Sequence, residues 1–333
     1  MTVLPVDGFI SANGLKLHYR RWRSPDYLPG LPPILLLHGL ASSAHIWNLV
    51  APLLAAAGYV VTALDQRGHG ESDKPGTGYD FATILADDTD AVEALEIERP
   101  IIVGHSWGAM VALQFAATHV EQVTSLVLVD GATNQLSSRP GWSREQAIKD
   151  LAPPRFAGTP RETFLSYYRN GPLGEQWTLE LEESILHIVQ LRDDDTVAPR
   201  LDFDNHLQVI GAMWDQPTFG LFKHVRCPIT LIVADQEPVS EAMKTFVNMR
   251  KQGLAHIHKV RPDARIVLMP NTMHDIPLQR PEELAKEIIQ PVLPEKDLMG
   301  DANEPLEVTG KVALVKKTEL VSDLGDAQIY PQE

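Results

Sequence analysis

Pro100-Ile101-Ile102-Val103-Gly104-His105-Ser106-Trp107-Gly108 is the stretch on which the fold turns. The apolar run at its start reads as a strand covered on both faces, and over residues 108–118 the apolar spacing becomes helical. Between them stands Gly-x-Ser-x-Gly, a serine on a sharp strand-to-helix turn flanked by small residues. Such a turn imposes strained backbone angles on the serine, and the small neighbours let strand and helix approach each other. Ser106 is then presented at the top of a sheet, beside a helix N-terminus whose partial positive charge favours developing negative charge.

The surrounding pattern repeats the same unit. Upstream, 34–37 reads as a buried strand ending in His38-Gly39, 44–58 as a helix stopped by Gly58, 59–64 as a strand and 81–95 as a helix. Downstream, 123–129 is a strand, and 229–233 and 265–269 resume the series. Strands alternating with helices imply an α/β protein with a mostly parallel central sheet flanked by helices. Near the N-terminus, Asn13-Gly14 has the turn chemistry of a β-hairpin.

Between residues 132 and 225 no strong strand is predicted, but helical stretches occur at 144–151, 161–169 and 178–191, punctuated by Pro and Gly. The segment is too long for a simple crossover. It is expected to be an inserted helical cap over the carboxyl edge of a core formed by 1–131 and 226–293, the edge where open α/β sheets bind ligands. Residues 294–333 are acidic and irregular with a short β-like stretch at 312–315, and are expected to be a C-terminal extension.

Composition narrows the classes of function. A formal net charge of −15 argues against nucleic acid as a partner and against docking on an anionic membrane. The single cysteine, Cys227, excludes an intrachain disulfide, and residues 1–10 lack the pattern of a signal peptide, so a cytoplasmic location is expected. Gly68-His69-Gly70 lacks the third glycine and the following helix of a dinucleotide fingerprint, so a structural loop is the better reading and no cofactor is expected. His256 and His258 are wrongly spaced for a metal motif, and no metal site is expected. The aromatics Trp142, Tyr167, Tyr168, Trp177 and Trp214 are candidates either for the inner face of the cap or for plain packing.

A serine hydroxyl needs a base to take its proton. His274, in the loop after the last predicted strand, is placed to reach Ser106 from the sheet edge. A carboxylate must fix the base's tautomer, and Asp235 and Glu237 both follow the strand at 229–233. The order serine, acid, histidine is that of the α/β-hydrolases, unlike chymotrypsin or subtilisin.

At this point the sequence resembles the capped α/β-hydrolases, the esterases, epoxide hydrolases, haloalkane dehalogenases and carbon–carbon bond hydrolases. The matching motifs are His38-Gly39-Leu40, Asp65-Gln66-Arg67-Gly68-His69-Gly70-Glu71-Ser72, the Ser106 turn, and the His274 loop followed by Pro281-Glu282-Glu283-Leu284. The resemblance puts the acid three residues beyond a small residue, from Ala234 to Glu237, with Asp235 as the alternative and Asp130 a more distant third. It also puts the oxyanion hole at the backbone N–H groups of Leu40 and Trp107.

What the resemblance implies is a serine hydrolase acting on a small-molecule carboxylic ester through an acyl-enzyme. Epoxide hydrolases and dehalogenases carry Asp where this chain has Ser106, which argues against their chemistry. Lactonase, thioesterase, carbon–carbon hydrolase and cofactor-free perhydrolase activities share the same constellation. A ligand-binding receptor on the same fold is the rival of another class, recognised by a broken triad, whereas here the set of residues is complete. Oligomeric state is not legible in the sequence.

Overall fold

The computed structural model describes residues 3–238 and 240–290. The extension expected at 294–333, with its β-like stretch, lies outside the described residues.

A hairpin of β1 (Val6–Ala12) and β2 (Leu15–Arg23) opens the chain. Its turn uses positive φ at both central residues, 45° at Asn13 and 76° at Gly14, as the dipeptide predicts. Then follow β3 (Ile34–Leu37), α1 (Ala51–Ala56), β4 (Val60–Leu64), α2 (Phe81–Ala94), β5 (Ile101–His105), α3 (Trp107–Thr118) and β6 (Ser125–Val129). The helix expected over 44–58 is shorter. Residues Ala44–Trp47 form a separate 3-10 turn, and α1 begins with proline in its first turn. Pro52 lacks the N–H that a helix interior uses, so the helix starts beside it instead of running through it.

A long insertion precedes the next sheet strand. It contains α4 (Arg144–Asp150), β7 (Thr159–Pro160), α5 (Arg161–Arg169), α6 (Leu179–Leu186), β8 (Val189–Leu191), β9 (Thr196–Pro199), α7 (Phe203–Asp215) and α8 (Thr218–Leu221). The insertion is not wholly helical, because β7, β9 and β8 form a three-stranded antiparallel sheet. The helix predicted over 178–191 ends at Leu186, and Val189 to Leu191 instead pair with Val197 to Pro199. That pairing is a short antiparallel hairpin, closed across residues 192–195, and it wins over a helical apolar spacing that does not show where the helix gives way. The chain closes with β10 (Ile229–Asp235), α9 (Glu241–Val260), β11 (Arg265–Pro270), α10 (Ile276–Gln279) and α11 (Pro281–Ile289).

The main sheet has eight strands in the order β1-β2-β4-β3-β5-β6-β10-β11. It is antiparallel from β1 to β4 and parallel beyond. Alternate residues of β3 feed opposite cores. Leu35 and Leu37 join Trp107 and Phe115 on one face, while Ile34 and Leu36 join Trp22 and Trp47 on the other. Burial of each such side chain stabilises the fold by roughly 1.5–3 kcal/mol. The two-sided cover fixes β5 rigidly at mid-sheet, with β3 and β6 beside it. Among the described residues no helix is long and apolar enough to cross a membrane.

Candidate active site

The turn at Ser106 is strained, with φ 55° and ψ −118°. Such a backbone costs on the order of 1–3 kcal/mol and needs surroundings that enforce it. Here they do so by contact. A Cβ on Gly104 would fall 2.2 Å from the Gly108 carbonyl oxygen, and one on Gly108 would fall 2.5 Å from those of Leu37 and His38. A Cβ on Gly131 would lie 2.1 Å from the Ser106 carbonyl oxygen. The Ser106 N–H donates to the Val129 carbonyl at 2.8 Å, tying the turn to the end of β6.

His274, from the loop after β11, has Nε2 2.9 Å from Ser106 Oγ and Nδ1 2.7 Å from Asp130 Oδ2. An ionised carboxylate only accepts, so Nδ1 carries the proton and Nε2 is free to accept from the serine hydroxyl. The other Asp130 oxygen accepts the Ala234 N–H at 3.0 Å. Burial would raise the Asp130 carboxyl, but the bond and charge of His274, the Arg250 guanidinium and the Ala234 N–H together hold it below the usual range. Burial likewise pulls His274 down, and the bond and charge of Asp130 together with the charge of Asp275 more than reverse it, so its net shift is upward. The His274 side chain keeps 48% of its surface accessible, whereas Asp130 keeps 3%.

The acid beside the histidine is therefore Asp130. Glu237 and Asp235 are both exposed at and just beyond the end of β10, and His274 Nδ1 meets Asp130 instead. Strand order gives the reason. β6 lies directly beside β5, whose end carries Ser106, and β10 lies one strand further out. Asp130 itself has φ 43°, so the chain turns sharply as it leaves the strand. The available sequence signal was a carboxylate directly after a buried strand next to the nucleophile strand. That signal favours Asp130 only once the strand order is known.

The segment His38-Gly39-Leu40 borders the serine, since a Cβ on Gly39 would lie 3.1 Å from Ser106 Cβ. Trp107, the first residue of α3, borders it from the other side. Two buried histidines brace this loop, and spacing alone did not single them out. His38 donates from Nδ1 to the Gly39 carbonyl at 2.7 Å and accepts the Gln66 N–H at Nε2 at 3.1 Å. His69 donates from Nδ1 to the Arg67 carbonyl at 2.8 Å and accepts the Ala41 N–H at 3.1 Å. The Gly68-His69-Gly70 motif thus has a structural use, and a Cβ on Gly70 would strike the Asp65 carboxylate. His105 donates from Nε2 to the His274 carbonyl at 2.9 Å, and burial with the neighbouring His274 lowers it to about 4.

The insertion reaches the loops after β3 and β4. Arg200 pairs with Glu71 at 2.7 Å, Asn205 donates to the Tyr79 hydroxyl at 2.9 Å, and the His187 ring stacks on His45 at 3.6 Å. Of the aromatics noted in the sequence, Tyr168 and Trp177 pack against a core cluster and Tyr167 is exposed. Among the described residues, His45, Glu183 and His187 bring donor atoms within 4.8 Å of one another. They are poorly suited to a cation. The imidazoles are parallel within 7°, so their lone pairs do not converge, and His45 Nδ1 accepts from the permanently charged Arg20 at 2.6 Å.

This architecture is matched by known proteins. The model of the alpha/beta hydrolase fold family matches residues 32–281, and the chain belongs to that family. It is 34% identical over 124 residues to epoxide hydrolase A of Mycobacterium tuberculosis, a match covering 37% of each chain and so well short of that relative's full length. It is 24% identical over 256 residues to a putative 2-succinyl-6-hydroxy-2,4-cyclohexadiene-1-carboxylate synthase of Bacillus subtilis, covering 76% of this chain and 87% of that protein. Among solved structures, the thioesterase domain from the curacin biosynthetic pathway matches with a TM-score of 0.68 at 23% identity, over 86% of this chain and 99% of that one. At that identity the likeness speaks for the fold alone.

Proposed function

We propose that the protein is a serine hydrolase cleaving a small or medium carboxylic ester through an acyl-enzyme. The observation that carries this reading is the continuous chain of contacts, Ser106 Oγ to His274 Nε2 at 2.9 Å and His274 Nδ1 to Asp130 Oδ2 at 2.7 Å. In it, His274 takes the Ser106 proton as the oxygen attacks the carbonyl carbon. The backbone N–H groups of Leu40 and Trp107 receive the oxyanion, an interaction of about 3 kcal/mol per donor in the transition state. The imidazolium returns the proton to the departing alcohol. Water then attacks the acyl-enzyme with His274 again as base, releasing the acid and restoring Ser106. Asp130 keeps the histidine in the tautomer both steps need.

The likeness to an epoxide hydrolase does not carry that chemistry over, because an alkyl–enzyme ester of that kind needs a carboxylate nucleophile and this turn offers a hydroxyl. The insertion is read as a cap because its side chains engage loops at the carboxyl edge of the sheet. Its pocket would set the choice among esters, lactones and thioesters.

The test is intact-mass analysis after treatment with a fluorophosphonate, on wild type and Ser106→Ala, followed by p-nitrophenyl esters of increasing acyl length. One adduct on wild type alone, with turnover abolished in the variant, is the expected result. Folded wild-type protein that neither labels nor turns over any ester would bring the receptor reading forward.

A further inference from the structure

The proposed mechanism uses one oxygen of Asp130, and the other faces a second cationic residue that the mechanism does not call on. Arg250 lies on α9, is 7% exposed, and has Nη1 3.4 Å from Asp130 Oδ1. That oxygen also accepts the Ala234 N–H, so the carboxylate is held from two directions on the side away from His274. A buried guanidinium is costly unless paired, and Asp130 is its carboxylate partner here. The arginine's position is imposed by its helix. One turn further on, Gly253 packs so tightly that a Cβ there would fall 1.7 Å from the Thr133 carbonyl oxygen. Thus α9 is clamped to the segment leaving Asp130.

We propose that Arg250 is a positioning residue of this triad, resting on the reading of Ser106, His274 and Asp130 given above. Its guanidinium occupies Oδ1 so that Oδ2 points at the histidine, and its charge competes with the imidazolium for the same carboxylate. The two roles pull in different directions. Holding Asp130 ionised and aimed aids the base. A fixed cation nearby disfavours a second cation and so keeps the resting His274 unprotonated to lower pH.

Among the described residues, the charged and titratable groups acting on His274 are Asp130 at the end of β6, Asp275 in its own loop, Arg250 on α9 and His105 at the end of β5. The two carboxylates raise it and Arg250 lowers it. Removing the guanidinium leaves the carboxylates less opposed, and the histidine then holds its proton to higher pH. Since only unprotonated His274 serves as base, the acidic limb of kcat/KM must move upward in pH. A merely structural role would lower activity at every pH and leave the limb where it was.

The experiment is kcat/KM against pH, on the best p-nitrophenyl ester, for wild type, Arg250→Met, Arg250→Gln and Arg250→Lys, with Asp130→Asn in parallel. The limb is expected to move to higher pH in the Met and Gln variants, with alkaline plateaus within about tenfold of wild type. It should return toward the wild-type position in Arg250→Lys, which keeps the charge. Gln keeps a donor and the polar volume, so it serves if Met does not fold. An unshifted limb in a folded Met or Gln variant overturns the proposal. Full activity in Asp130→Asn would instead overturn the triad reading on which it rests.

Discussion

The ends of β6 and β10 stand side by side in the sheet, and each carries carboxylates at its carboxyl edge. They differ in what surrounds them. At β6 the chain turns under positive φ, Asp130 is buried with both oxygens engaged, and Gly131 lies against the serine backbone. At β10, Asp235 and Glu237 are exposed. Chemically the three acids are nearly equivalent. Position decides which of them meets His274, and in the proposed mechanism an acid that orients the base must itself be oriented.

Substitutions can break or sharpen this contrast. Asp130→Asn should lower kcat by about 10⁴, through loss of the required histidine tautomer, while Asp235→Asn and Glu237→Gln stay near wild type in steady-state assays. A large loss in either of the latter with none in Asp130→Asn would reverse the assignment. A smaller effect is expected at Gly131→Ala. Its new methyl meets the Ser106 carbonyl, which is backbone and cannot swing aside. Thermal unfolding should show a cost of about 1–3 kcal/mol, with kcat reduced because the serine must shift. Smallest of all should be the stability change on Glu237→Gln, within about 0.5 kcal/mol, as for ordinary surface positions.

The same contrast marks what could be read without coordinates. The sheet strands, the Ser106 turn and the position of His274 were legible, since each announces itself locally through an apolar run, a glycine-flanked serine or a loop after the last strand. The carboxylate that meets His274 was not, because family spacing pointed to Glu237 while the contact depends on which strand lies beside β5. Arg250 was equally hidden, its partner Asp130 lying 120 residues away, and His38 and His69 were visible as motif residues but not as braces. Inside the insertion, β8 shared a helical apolar spacing with α6, and only its partner strand distinguishes them.

The buried histidines have a consequence for how the molecule tolerates acid. Burial holds His38, His69, His45, His105 and His206 below their ordinary range, His105 and His206 at about 4. Each takes up a proton less readily when folded than once the chain opens, when an imidazole does so below about pH 6.5. Unfolding is then coupled to proton uptake, and each such group steepens the fall of stability by up to about 1.4 kcal/mol per pH unit, from near pH 6.5 down to its folded value. Measured by denaturant titration, the contribution of these histidines should be level above neutrality and fall between about pH 6 and pH 4, opposed by His274 and Asp88, whose raised values give the opposite sign. The histidines that hold the loop beside Ser106 in place thus tie the integrity of that loop to their staying unprotonated.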